Sequence, residues 1–358
     1  MCGKKGEFKP HSVVALQVQM ENSSKKTDFL VLGQGLTGTT LAMQLIMRGF
    51  SVQILTDPSI VSSSEKAVGL MNPVTGRRMA KTWNFEEIFP LAESFYSTVY
   101  DFLNPGQKGS FLLIKPIYKA LHSIEEANFL SGKSSATGYE NLIHVQQKQS
   151  VIPPVFSNTE AWCSISKGGR MDTLVYLHAT NLYFRNSEIV TEGHFNPEFL
   201  IRTANTWKYK SIESRFVISC LGNGCPWKSA DMWPVKGQVY ELSGLPDWGD
   251  AILKTEKFLI PTGTGTVLAG STYEREFDHE NPDSVGYDEI TRDIEPDLKE
   301  KMRVVNCWAG IRPTTKDRRP IIEKIDSGLF ALNGMGAKGV SLSPWAAMEI
   351  TKQMLEEW

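Results

Sequence analysis

The sequence predicts an α/β fold: a parallel sheet flanked by helices, joined to a second α+β unit built on an antiparallel sheet. Three observations lead there. A strand–glycine turn–helix–strand run opens the fold at Phe29–Pro58, and a second strand–glycine turn–helix run closes it at Gly328–Ala347. Between them lie short strand-like stretches punctuated by Gly or Pro. With 358 residues, the chain is long enough for two domains.

The opening run reads "FLVLGQGLTGTTLAMQLIMRGFSVQILTDP". Phe29, Leu30, Val31 and Leu32 form a continuous apolar stretch ending in glycine, the pattern of a parallel strand buried on both faces. Gly33, Gly35 and Gly38 then give the GxGxxG spacing. The first permits a tight turn, the second lets backbone approach a pyrophosphate, and the third lets helix pack closely on strand. Leu41, Ala42, Leu45 and Ile46 recur at helical spacing, Gly49 stops the helix, and "VQIL" resumes a strand. The helix start at Leu36, Thr37 and Gly38 would present N–H groups and a positive dipole end to a phosphate.

In such a unit a carboxylate usually ends the second strand, about 20 residues on, and holds the adenosine ribose. Here the strand ends Leu55-Thr56-Asp57. Thr56 takes the expected place and Asp57 stands one residue late. Both remain candidates for the ribose contact, with Asp57 preferred.

Further along, residues 85–103 place Ile88, Leu91, Phe95, Val99 and Phe102 at helical intervals, which predicts a core-facing helix. "QVYEL", "FLIPTG" and "TVLAGSTYE" read as short strands of an antiparallel sheet. Residues 1–25 read as a polar, poorly ordered extension, with Met20 an alternative start.

Composition narrows the function classes. A net charge of -2 gives no global reason to expect nucleic acid or an anionic membrane as partner. No apolar run approaches the roughly 18 residues of a membrane span. The stretch "VVALQV" is too short for a signal-peptide core, so cytoplasmic residence is expected. Five scattered cysteines and no HExxH predict neither a disulfide framework nor a metal site.

The closing run carries a more specific signal. "GIRPTTKDRRPII" is followed by "NGMGAKGVSLSP", and before them stand "GGRMDTLVYL", "RFVISCLGNG", "WPVKGQVYEL" and "FLIPTGTGTVLAGSTYE", in that order. From about Lys26 to the C-terminus the chain resembles the FAD-dependent amine and D-amino-acid oxidase superfamily, which includes glycine and sarcosine oxidases.

That resemblance implies a Rossmann-like, two-dinucleotide-type FAD-binding domain from residues 26–80, 160–235 and 300–358. It leaves 81–159 and 236–299 as the substrate domain. It implies FAD held non-covalently, since no cysteine matches a linkage motif, with the diphosphate on the first helix. Gly69, in "SSSEKAVGLMNPVTGRR", falls in the loop that crosses the diphosphate. Gly222 and Gly310 fall in turns and strands beside the cofactor. Gly336, Lys338, Gly339 and Val340 fall where backbone N–H groups face the flavin N1–C2=O edge.

For the substrate, Arg312 matches the family's arginine that grips a carboxylate bidentately. Phe258 stands where glycine-oxidase-like relatives carry a tyrosine, and Tyr273 is the nearby phenol that offers itself instead. Arg318, Arg319 and Asp317 read as a solvated turn. The implied reaction oxidises the C–N bond of a small amino acid or secondary amine to an imine, with reoxidation by oxygen or another acceptor. No catalytic base is assigned. "GLMNP", "SISKGGRMD" and "LNGMGAKGVSLSPWAAMEI" also resemble, more loosely, the FAD domain of the enzyme that matures the tRNA wobble uridine. A small molecule is therefore the preferred partner, tRNA an alternative one, and a non-catalytic flavin-binding protein a third reading.

Overall fold

The computed structural model describes residues 24–76, 78–147, 153–227 and 231–358. Of the extension expected over residues 1–25, only Ser24 and Lys25 fall within them, and Lys25 already begins the first strand. Elements run in chain order. β1 (Lys25–Leu32), α1 (Leu36–Met47) and β2 (Val52–Thr56) come first. Then come β3 (Leu70–Met71), β4 (Val74–Thr75), β5 (Ala80–Lys81), α2 (Phe85–Leu103), β6 (Leu112–Ile114) and β7 (Ile117–Leu121). α3 (Ile124–Ser134), β8 (Ile143–Gln147), β9 (Ala161–Ile165), β10 (Gly169–Met171) and α4 (Thr173–Asn186) follow. Next are β11 (Val190–Glu192), β12 (Leu200–Arg202), β13 (Trp207–Tyr209), β14 (Ile212–Ser219), β15 (Met232–Ser243), β16 (Ile252–Lys254), β17 (Phe258–Pro261) and β18 (Val267–Gly270). The chain closes with α5 (Ser284–Thr291), α6 (Pro296–Lys301), β19 (Arg303–Thr315), β20 (Ile321–Asp326), β21 (Leu329–Asn333) and α7 (Gly339–Glu356).

The first sheet has the order β11-β2-β1-β14-β13-β12, and β14 also pairs with β21. The pairs β11/β2, β2/β1, β1/β14 and β14/β21 are all parallel. Phe29, Leu30, Val31 and Leu32 are fully buried, as a central parallel strand covered on both faces requires. Helix α1 docks on this strand because Gly38 has no side chain: a Cβ there would lie 2.0 Å from the Gly33 carbonyl oxygen.

The second sheet has the order β19-β15-β18-β17-β16-β7-β9-β8, antiparallel except where β16 meets β7. β15, β17 and β18 are the strands expected from "QVYEL", "FLIP" and "TVLAG". Sheet membership departs from the expected segmentation at two places. β9 and β19, placed by sequence among the FAD-binding segments, pair in this second sheet. Helix α2, placed in the substrate segment, lies against α7, where the buried Tyr96 hydroxyl donates to the Val340 carbonyl at 2.9 Å. At β9 and β19 the chain crosses between sheets within a motif, not at its border.

Helix α2 buries Ile88, Ala92, Phe95, Tyr96 and Val99, while Phe102, expected inside, is 39% exposed. The buried stripe follows the 3.6-residue period and has rotated past Phe102 by the last turn. There the ring packs edge-on against Tyr183, 5.3 Å away between centroids. A single apolar cluster ties the two sheets together. It contains Phe29, Ile54 and Phe330 from the first and Ile117, Val239 and Ile260 from the second.

Candidate functional site

The two glycine turns predicted at opposite ends of the chain meet. Gly35 precedes α1, and Lys338 precedes α7 after a short 3-10 turn over Gly336–Lys338. Thr37 Oγ1 lies 3.2 Å from Ser343 Oγ, and a Cβ on Gly339 would lie 3.1 Å from Leu36. Neither helix is capped by the side chain of its own N-cap residue, and neither has an acid in its first turn. Two helix N-termini side by side concentrate partial positive charge, which favours an anion. The loop over 62–68 is strapped across them. Ser64 Oγ accepts the Leu36 N–H at 2.9 Å, Ser63 Oγ donates to the Ile311 carbonyl at 2.5 Å, and the Trp308 indole donates to the Lys66 carbonyl at 2.9 Å.

The other expected cofactor residues border the same region. Gly69 adopts φ +73° and passes so close to β10 that a Cβ would lie 1.7 Å from the Met171 carbonyl oxygen. The Gly222 carbonyl accepts Asn333 Nδ2 at 2.8 Å, and Asn223 donates to the Ile311 carbonyl at 2.9 Å. This ties the turn after β14 to both β21 and β19. Gly310 lies against Lys66, where a Cβ would meet the lysine Cβ at 2.7 Å. Lys338 Nζ donates to Thr82 Oγ1 at 3.1 Å, and burial with Arg318 nearby lowers its pKa to about 8. Beside the turn that carries Lys338, the Thr314 hydroxyl is buried without a partner among the described residues. A Cβ on Gly336 would lie 3.4 Å from that Thr314 oxygen.

At the end of β2, the Thr56 carbonyl accepts the Gly193 N–H at 2.8 Å. Asp57 is drawn into its own loop. Its carboxylate accepts the Ser59 hydroxyl at 2.6 Å and the Ser59 N–H at 2.9 Å, and lies 3.0 Å from His194 Nδ1. The Ser59 hydrogen bonds hold its pKa below the ordinary carboxylate value. A fixed, ionised carboxylate thus stands one residue beyond the usual position.

Arg312 lies on β19 opposite Val235, and Gly310 lies opposite Gly237. Alternation puts Trp308, Gly310 and Arg312 on the same face as Val235, Gly237 and Val239. Through the pairings Val239–Gly270 and Phe258–Gly270, Phe258 shares that face. The Arg312 side chain lies over Gly237, where a Cβ would fall 1.9 Å from Nη2. Nη2 donates to Ser271 Oγ at 2.7 Å and Nη1 to the Thr272 carbonyl at 3.2 Å. Burial pushes the guanidinium pKa below the ordinary arginine value, while Tyr273 and Glu274 oppose that shift. No ion pair holds Arg312 among the described residues.

Of the other sequence candidates, Phe258 is buried with its ring against Gly270. Tyr273 is 46% exposed, its ring 6.0 Å from the Arg275 guanidinium carbon. The Arg319 guanidinium lies 5.2 Å from the Trp83 ring centroid, so that arginine belongs to an aromatic contact and not only to a solvated turn. Sequence reading missed Ser63, Ser64, Gly237, Ser271 and Thr272. Ser63 and Ser64 lie in the crossing loop that the resemblance implied, though neither was singled out, while only strand register brings Gly237, Ser271 and Thr272 to the site. Two surface clefts of about 300 and 280 Å³ lie on the opposite face of the antiparallel sheet, around Tyr240, Cys307, Lys236 and Glu274. They are not part of this constellation.

Comparison with known proteins accords with the geometry. The profile of the FAD dependent oxidoreductase family matches residues 28–353. The glycine oxidase of Bacillus licheniformis is 31% identical over 159 residues, which cover 40% of this chain and 42% of that protein. The chain thus matches less than half the length of that relative. Among solved structures, glycine oxidase from Geobacillus kaustophilus superposes with a TM-score of 0.76 at 18% identity, covering 92% of this chain and 95% of that one. Iminodiacetate oxidase from Chelativorans sp. BNC1 gives 0.73 at 18% identity, covering 92% and 96%.

FAD fits the residues present. Two acid-free helix starts suit its diphosphate, the close glycine turns leave room for its backbone contacts, and the Thr314 hydroxyl beside Gly336 is buried without a partner among the described residues. With its profile match over nearly the whole length and its two-sheet architecture, the chain belongs to the family of FAD-dependent oxidoreductases.

Proposed function

We propose that the protein oxidises the C–N bond of a small amino acid or secondary amine bearing a carboxylate, giving an imine that water hydrolyses. Arg312 is the observation that carries this reading. A guanidinium held under a sheet by two neutral acceptors, with no carboxylate pairing it, keeps N–H donors and a full charge for an anionic ligand. Its half-buried position, less screened than the open surface, strengthens that attraction. Gly237 leaves the guanidinium room to lie flat on the sheet, and Ser271 and Thr272 fix its plane. Phe258 gives the same face an apolar wall beside Gly270.

FAD supplies the two-electron acceptance that the oxidation requires. In this proposal Gly33, Gly35, Leu36, Thr37 and Gly38 hold its diphosphate and Asp57 its ribose. The turn from Gly336 to Val340 faces the flavin. Lys338, a cation below about pH 8, offsets negative charge there. In this proposal binding is non-covalent; of the described cysteines, Cys163, Cys220 and Cys225 are buried, and Cys307 lies opposite Tyr240 on the far face of the sheet.

The test is a visible spectrum of the purified protein, followed by anaerobic additions of glycine, sarcosine, D-amino acids and carboxymethylaminomethyl-modified tRNA. Bleaching of the flavin band by a small amine is expected. Bleaching by the modified tRNA alone would replace the small-molecule substrate with RNA. A flavin that answers to none of them would leave a binding protein without this activity.

A further inference from the structure

Behind Arg312, on the other face of the same sheet, lies a charged cluster. Lys236 is 1% exposed, and its Nζ lies 3.1 Å from Glu274 Oε2 and 3.3 Å from Asp283 Oδ2. Gln238, also buried, donates through Nε2 to Glu274 Oε1 and Asp283 Oδ2, each at 3.0 Å. Its Oε1 accepts the Asp283 N–H at 2.9 Å and the Tyr240 hydroxyl at 3.0 Å. Burying a lysine this deeply is costly unless paired charge compensates it.

Thr272 joins the two faces. Its hydroxyl donates to Glu274 and accepts the Gln238 N–H at 2.9 Å, while its carbonyl accepts Arg312 Nη1. The segment that docks the guanidinium is thus anchored to the cluster by the Lys236–Glu274 backbone bridge and by these side chains. Glu274 is also one of the two groups whose charge acts on Arg312.

We infer that Lys236 is a positioning residue for substrate: it neutralises Glu274 and, through Thr272, holds Arg312 free and correctly turned for a carboxylate. This rests on the reading of Arg312 as a carboxylate anchor. Without Lys236, the Glu274 charge would act on Arg312 uncompensated, and the guanidinium would be offset or drawn toward it. The strand alternation that puts Lys236 and Arg312 on opposite faces is what keeps the two charge sets apart.

The test uses the FAD-loaded protein titrated with sodium acetate at fixed pH and ionic strength, followed by the flavin band. Lys236→Met is expected to weaken acetate about tenfold, the size of one partly screened charge at short range. Glu274→Gln removes the opposing charge and is expected to tighten acetate about threefold. The double variant returns to near the wild-type value, and Lys236→Arg stays there. A purely structural cluster predicts the reverse for Glu274→Gln, because any disturbance would then weaken binding. Unchanged affinity in Lys236→Met, or weakening in Glu274→Gln, overturns the inference while leaving Arg312 as the anchor. If Lys236→Met does not retain flavin, the Glu274→Gln and Lys236→Arg arms still decide. A wild-type protein whose flavin shows no saturable response to acetate overturns the anchor reading itself, and the positioning role with it.

Discussion

Arg312 shows how burial and pairing together mark a residue for ligand binding. Its neighbours satisfy geometry without satisfying charge, and a guanidinium in that state gains most from a planar anion. Arg312→Lys should keep the flavin but weaken acetate at least about 30-fold, since one ammonium cannot replace a fork. Equal affinity by titration would remove the bidentate contact. Phe258 offers the converse test. Its Cζ touches the Gly270 position, next to Ser271, which holds Arg312. Phe258→Tyr should place a donor near the guanidinium and tighten acetate about threefold to tenfold. Both residues were named from the sequence because they fall inside blocks that carry the family resemblance. Ser271, Thr272 and Gly237 were not, because their roles arise from the pairing of strands distant in sequence. Asp57 lies between these cases: sequence supplied the carboxylate, while the structure showed that Ser59 and His194 fix it.

At the scale of elements, two features carry predictions. The join of β1 and α1 depends on the absent side chain of Gly38, whose Cβ would strike backbone and not a flexible tip. Gly38→Ala should abolish flavin retention, measured as absorbance per protein on purification. Full flavin content would show that the turn can relax. On β16, Lys254 pairs across the ladder with Phe258 on one side and Lys119 on the other. Burial, with repulsion from Lys119, lowers its pKa from 10.5 to about 8. Its charged form therefore costs stability fully below about pH 8, and the cost fades as pH rises to the unfolded value near 10.5. Lys254→Met should stabilise the protein by about 3 kcal/mol at pH 7, with a gain that shrinks toward pH 10.5 in denaturant titrations. A constant difference across that range would assign the effect to packing instead. The strands themselves were readable because short apolar runs bounded by Gly and Pro leave few alternatives. Their sheet membership was not: nothing local in β9 or β19 says which sheet they join.

For the whole molecule, the decisive fact is that the largest apolar cluster does not respect the division into sheets. Phe29 and Phe330 of the parallel sheet belong to the same buried cluster as Val239, Phe258 and Ile260 of the antiparallel one. The crossings at β9 and β19 reinforce this, because neither sheet can be completed by one continuous stretch of chain. Contacts shared so widely make the halves unfold together, although a chain of this length often divides into independent units. FAD held at the glycine turns of α1 and α7 would then stabilise both sheets, since the second turn also meets Thr314 of β19. At FAD about 100-fold above its dissociation constant, linkage adds about 2.7 kcal/mol. For a chain of this size that raises the melting temperature by about 4 °C. Calorimetry of flavin-free protein, with and without added FAD, is expected to show one transition that moves as a whole. Two transitions, only one of them shifted by FAD, would mean that the shared core does not couple the sheets and that the antiparallel unit folds without the cofactor's help.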